Sequence, residues 1–354
     1  MGPKSRRVAE GSTSTASSST EKRPKEKKGN FTKLNVIMVI GIALFSCLVV
    51  PLLINAFKLN TFLKKTGTEE QSARRPDVAK DLKFVLLASL ACGLVQYIIE
   101  KSTYNLWYTI CKEKKNEKIR VKKALKSSTQ SFKGSFYTLL VAYEIYYFSD
   151  APWWPTFLGG KCAPNDLMEN LFIGNPHVEN PTPYMREFYL LQMGYRLGDL
   201  FNQILKSDHA NDHFEMLLHH LVALVLVVTA YVAGIEPIGA LIMVYHDIPD
   251  AIIPGMRILA DSVFVNYKVL GEIVGIWYVL VYFSWIAFRL TALPHLVYSL
   301  WIWGNIGGSE FEHHEVMTKV CCGYLGVLCF LHWVWFYPLT MILINMFKGV
   351  KEDL

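Results

Sequence analysis

The chain has 354 residues, of which 52% are hydrophobic and 13% aromatic. Its mean hydropathy is +0.24 although the first 30 residues are strongly polar. That composition excludes a disordered chain, a coiled coil and a disulfide-stapled secreted domain, and it favours a polytopic membrane protein over a soluble enzyme. The net charge is +6, and its placement says more than its size. Residues 1–33 carry nine Lys/Arg against three Glu, and residues 101–126 carry nine against two. Beside apolar helices such clusters set topology or touch anionic lipid, so no nucleic-acid partner is expected. The seven cysteines contain no CxxC pair, and neither a disulfide framework nor a zinc site follows.

In chain order, residues 1–33 read as a disordered basic tail. Apolar segments long enough to span follow at about 34–56 and 82–99, the two N-terminal helices of a 34–100 region. A basic loop is expected over 101–131, and the remaining six segments fall within a domain over 132–347. These six lie near 133–149, 185–206, 214–233, 238–259, 269–300 and 317–347, with a polar tail over 348–354. The expectation is an all-α polytopic membrane protein of about eight transmembrane helices. The positive-inside rule puts the basic tail and the basic loop in the cytosol, the Pro/Asn/Gly-rich stretch 150–183 in the lumen, and both termini in the cytosol.

The densest polar cluster in the apolar part runs Asp212-His213-Phe214-Glu215-Met216-Leu217-Leu218-His219-His220 into a valine- and leucine-rich run. The next segment carries Tyr245-His246-Asp247-Ile248-Pro249-Asp250 at mid-depth. An Asp at a helix centre costs roughly 2.5–3.5 kcal/mol on insertion scales, so Asp247 and Asp250 need partners in a cavity. Pairing of His219 or His220 with Asp247 or Asp250 is expected. It would serve either a polar lock between helices or a catalytic imidazole whose tautomer and charge a carboxylate holds. Metal binding is not expected, because adjacent helical residues point about 100° apart and i, i+3 or i, i+4 spacing is missing. Arg196 and Asp199 are expected to satisfy each other within one helix. Glu144 is left between lining a cavity and snorkelling. His332, between aromatic residues, reads as a packed helix face, and His313-His314 as a solvated turn.

Asp212-x-x-x-Met216-x-x-His219-His220-Leu221-Val222, then Tyr231-Val232, Gly239 and His246-Asp247-x-x-Asp250, resembles the Lag1 motif of TLC-domain ceramide synthases. The likeness extends over roughly 130–345, through Ala151-Pro152-Trp153-Trp154, Pro181-Thr182-Pro183-Tyr184, Tyr189 to Tyr195, and Phe288-Arg289-Leu290 with Pro294. The resemblance implies a TLC-type helical barrel around a central cavity. It also implies an endoplasmic reticulum enzyme that transfers a fatty acyl group from acyl-CoA to the amine of a sphingoid base, with no cofactor beyond that substrate. The catalytic residues it implies are His219, His220, Asp247 and Asp250, with His246, Asp212, Arg289 and Tyr245 as substrate-binding candidates. Membrane lipid, and a homodimer or a heteromer with a related chain, are the implied partners. Arg289 and the basic 101–126 stretch could draw nucleotide phosphates, against an ion pair and lipid contact respectively. The chain departs from the family pattern at Ala223, Ala230, Pro237, Pro254 and Arg257, which leaves a catalytically silent member, acting in lipid sensing or transport, as the alternative.

Overall fold

The computed structural model describes residues 49–175, 181–205 and 213–348. These form an all-α membrane protein, with two isolated β-bridges as the only extended pairings among the described residues. Residues 49–66 are helical (α1), followed by α2 (Glu69–Arg74), α3 (Val78–Ile110) and α4 (Glu117–Phe148). Then come α5 (Leu167–Leu171), α6 (Met185–Leu205), α7 (His213–Ala233) and α8 (Glu236–Asp261). The last helices are α9 (Lys268–Ser284), a π-helical segment over Trp285–Ala292, α10 (Leu293–Trp303) and α11 (His314–Phe347). Each expected apolar segment falls on a helix, the first of them described only from residue 49. Four stretches are long and apolar enough to cross a membrane unaided: Glu69–Ile110, Phe214–Ala233, Lys268–Trp303 and His314–Phe347. The helices α4, α6 and α8 carry buried charge, and packing against protein compensates for it.

Packed helix pairs close a ring: α3 on α4, α4 on α8, α8 on the π segment, that segment on α11, α11 on α7, α7 on α6, and α6 back on α3. Within it α7 also meets α8. More than half of the apolar window of α7 is buried (56%), against 11% for α3, whose Leu86, Leu87, Leu90 and Leu94 point outward as a lipid-facing helix requires.

The basic stretch expected as a loop is helical except for residues 111–116, because α3 and α4 run on for 33 and 32 residues. At 1.5 Å per residue each is about 50 Å long, well beyond a hydrocarbon core of about 30 Å. Asn116 caps α4 by accepting from the Ile119 N–H. In the same turn the N–H groups of Asn116 and Lys115 hold the Glu113 carboxyl below its usual range. At the opposite end, residues 154–162 form a tight hairpin, with Trp153 and Trp154 buried. Thr156 N–H donates to the Cys162 carbonyl (3.0 Å) and Cys162 N–H to the Trp154 carbonyl (3.1 Å). Gly159 takes a φ of 86°, the left-handed turn position that favours glycine. The hairpin carries Phe157 against Tyr245 and Phe288, with ring centroids 6.1 and 6.5 Å away.

A buried polar knot ties α3 to the ring. Asp81 is 2% exposed and accepts from Arg186 (2.5 Å) and from the Tyr231 hydroxyl (2.8 Å). The Tyr189 hydroxyl donates to the Glu236 carbonyl (2.7 Å), fixing α6 on the start of α8.

Candidate active site

The paired histidines sit in the second turn of α7, facing α6 on one side and α8 and α11 on the other. The His219 ring centroid lies 6.1 Å from those of both His246 and His332 and 5.3 Å from that of Trp335. The His246 and His332 rings are 4.9 Å apart. His246 Nδ1 bonds to the Ile242 carbonyl at 2.7 Å, which leaves its buried Nε2 with no hydrogen-bond partner. His332 is fully buried and both its ring nitrogens lack one, and so does His219 Nδ1. His332, read from sequence as a packed helix face, therefore belongs to the cluster. Among the described residues, no group of three or more His, Cys, Asp or Glu could hold a metal ion.

The ion pairs differ from those expected. His220 Nε2 faces Asp199 Oδ2 at 3.6 Å, not Asp247 or Asp250. Asp199 is also held by Lys133 of α4 at 3.1 Å. Arg196 does not pair with Asp199, three residues along its own helix, but with Asp247 across on α8, at 3.6 Å. The second Asp247 oxygen accepts from the Gln192 amide at 2.7 Å. Arg289 bonds to Asp250 at 2.6 Å, donates to the His246 carbonyl at 3.0 Å and stacks on the Trp285 ring. Arg289 is 4% exposed and stands in an interior ion pair. The π segment explains its aim: one wide turn rotates both Arg289 and Trp285 inward. Glu144 is fully buried beside Asp247, which removes the snorkelling alternative. Tyr245 is buried against Phe157 and Phe288. Asp212 lies outside the described residues.

A narrow apolar cavity of about 50 Å³ opens beside this cluster. Its polar end is Arg196 and His246. From there it runs between α7 and α8 past Ala223, Ala230 and Gly239 toward Ile306, Thr318 and Cys321. Ala223 and Ala230, two of the departures from the family pattern, thus form part of its wall. Gly239 is required where it stands, because a Cβ would run into the Tyr189 hydroxyl and Ala230. The site sets the mouth of a narrow apolar cavity against imidazole nitrogens, a carboxylate–imidazole pair and two arginines.

Residues 126–341 match the TLC domain family. The chain is similar to ceramide synthase hyl-2 of Caenorhabditis elegans, 26% identical over 174 residues, which is 47% of this chain and 51% of that protein. It is similar to human ceramide synthase 5, 24% identical over 227 residues, covering 62% of this chain and 51% of the relative. ASC1-like protein 3 of rice is 23% identical over 226 residues, 62% of this chain and 73% of the relative. The matches thus span about half the length of the two ceramide synthases. With well over half of its residues matched, the chain belongs to the TLC-domain family.

Proposed function

We propose that the chain is an acyl-CoA-dependent N-acyltransferase that acylates the amine of a sphingoid base in the endoplasmic reticulum membrane, with both termini cytosolic. The observation that carries this reading is the apolar cavity ending on His246, directly beside His219 and His220. The cavity takes the acyl chain, which brings the thioester to the histidine cluster. Net transfer breaks the C–S bond, forms a C–N bond and releases CoA thiol. An ammonium acceptor loses two protons, of which the thiolate takes one and solvent the other. Of the paired histidines, His220 has a carboxylate behind it, Asp199, which fits a base or nucleophile that must carry charge transiently. Asp247 and Asp250 act one step back, holding Arg196 and Arg289.

The nucleotide end of acyl-CoA suits the basic ends of α4 and α8. Lys122, Lys123, Lys126 and Arg257 cluster there around Asp261, whose carboxylate pairs with Lys123 at 3.1 Å. Arg257 is eleven residues along α8 from His246, about 16 Å of helix, which is on the scale of a pantetheine arm. The test is N-acyl product from purified protein given acyl-CoA and sphingosine or sphinganine. Absence of product from well-folded protein at every chain length supports the alternative, a silent TLC protein whose cavity holds lipid for sensing or transport.

A further inference from the structure

We propose that Glu144, with Asp247 and Gln192, is the recognition site for the ammonium headgroup of the acyl acceptor, a protonated primary amine flanked by hydroxyls. This rests on the acyltransferase reading and adds a substrate-selecting residue to it.

Glu144 lies in α4 with 0% exposure, and neither carboxylate oxygen has a hydrogen-bond partner. A buried carboxyl without a hydrogen-bond partner is costly in either protonation state, so such a group persists where a ligand completes it. The neighbouring charges do not. Lys133 is engaged with Asp199, Arg289 with Asp250, and Arg196 with Asp247. Glu144 is a fourth carboxylate against three cations, and the group it faces most directly is Asp247, of like sign. The polar seam between α4, α6 and α8 therefore holds four carboxyl groups against three cationic side chains.

The unused hydrogen-bonding atoms are biased the same way. Gln192 spends its amide N–H on Asp247, which leaves its buried oxygen as an acceptor without a donor. Asp247 Oδ1 faces Arg196 at 3.6 Å, an ion pair just beyond hydrogen-bond reach, and so still has room for a donor. With the two Glu144 oxygens, that makes four unmatched acceptors, against Arg196 Nε as an unmatched donor and the Tyr195 hydroxyl, which can do either. A ligand that satisfies this set is cationic and rich in donors. Acyl-CoA is anionic and is repelled; an ammonium offers three N–H groups, and adjacent hydroxyls add O–H donors that also accept from Arg196.

The placement suits the reaction. Asp247 adjoins His246, whose ring lines the polar end of the apolar cavity, and Arg196 lines that cavity while pairing with Asp247. An amine held on the Glu144 side of Asp247 and an acyl group held in the cavity would approach the histidine cluster from adjacent faces of α8, since Asp247 and His246 are consecutive helix positions about 100° apart. Glu144 lies 75 residues before His219 in the chain. It is a binding residue, with no bond made or broken at it.

The test compares wild type with Glu144→Gln, which keeps shape and removes charge, and Glu144→Asp, which keeps charge and shortens reach. Equilibrium binding of radiolabelled sphinganine to purified protein needs no turnover. Steady-state kinetics give KM for sphinganine and for palmitoyl-CoA separately. Glu144→Gln is expected to weaken sphinganine binding and raise its KM about 10- to 100-fold, the scale of one charge-assisted hydrogen bond, with KM for palmitoyl-CoA unchanged. Glu144→Asp is expected to recover part of that loss. The deaminated long-chain diol should compete against sphinganine poorly in wild type and as well as sphinganine does in Glu144→Gln. Unchanged sphinganine affinity in Glu144→Gln overturns the proposal, as does a parallel loss in kcat and both KM values that Glu144→Asp does not relieve. Wild type that binds sphinganine through Glu144 but forms no N-acyl product would overturn the acyltransferase reading and leave the binding site standing.

Discussion

If the apolar cavity holds the acyl chain, its far wall sets the longest chain accepted. Cys321 is on that wall, 7% exposed, and lies eleven residues along α11 from His332, about 16 Å from the histidine cluster. Cys321→Leu adds two heavy atoms to the side chain, space otherwise available to roughly two methylenes. Each buried methylene is worth about 0.8 kcal/mol, so two are worth about 1.6 kcal/mol, close to a 15-fold change in preference. The expectation is that kcat/KM for the longest good acyl-CoA falls about 15-fold relative to one shorter by two carbons. The shorter substrate should keep its rate. The assay is competition between acyl-CoAs differing by two carbons for one labelled sphingoid base, read as product ratio, so that enzyme concentration cancels. Gly323→Ala is the control: it lies on the same helix, faces outward, and an added Cβ meets nothing within 4 Å. A wild-type chain-length profile in a stable, monodisperse Cys321→Leu protein would refute the assignment of the cavity to the acyl chain.

Three other expectations concern neighbouring parts of the fold. Asp81→Ala removes the acceptor of Arg186 and strands the Tyr231 hydroxyl, which is 4% exposed as a residue, so thermal stability in detergent should fall by about 3 kcal/mol. Adding Tyr231→Phe should return about 1 kcal/mol, and a double variant less stable than the single would contradict the knot. Thr229→Val removes a fully buried hydroxyl that has no partner, and should leave stability unchanged or raise it by about 1 kcal/mol; a clear loss would mean the hydroxyl is bonded. Asp199→Asn should cut kcat about 100-fold or more at unchanged expression, and a wild-type rate would remove the Asp199–His220 pair from the chemistry.

The chain shows its architecture plainly because apolar runs of spanning length read the same in sequence and in structure. His219, His220, His246, Asp247 and Asp250 are legible for a related reason: ionisable groups inside such runs are costly and need partners. Which partner each takes is another matter. Arg196 and Asp199 stand three residues apart and invite a local pair, yet α6 directs them to different helices, toward Asp247 and toward Lys133 and His220. His332 is 112 residues beyond His220, and nothing in its aromatic surroundings marks it as part of the cluster. Its one signal, a histidine inside an apolar run, is shared by many packed helix faces. The inward turn of Arg289 depends on a π-helical segment, which the period of apolar residues does not encode. The basic stretch after α3 looked like a loop because charge suppresses hydropathy; helix propensity of Lys and Glu is high, and α4 begins at Glu117 behind an Asn cap.

The most direct test of the acyltransfer reading is product formation by the paired-histidine variants. Purified wild type, His219→Ala and His220→Ala would be given labelled sphinganine and a panel of acyl-CoAs from short to very long, with N-acyl product read by mass spectrometry. Wild-type product that disappears in both variants, while each variant still inserts and accumulates, is the result expected. Product at the wild-type rate in either variant would take that histidine out of the chemistry, and product in both would contradict the site.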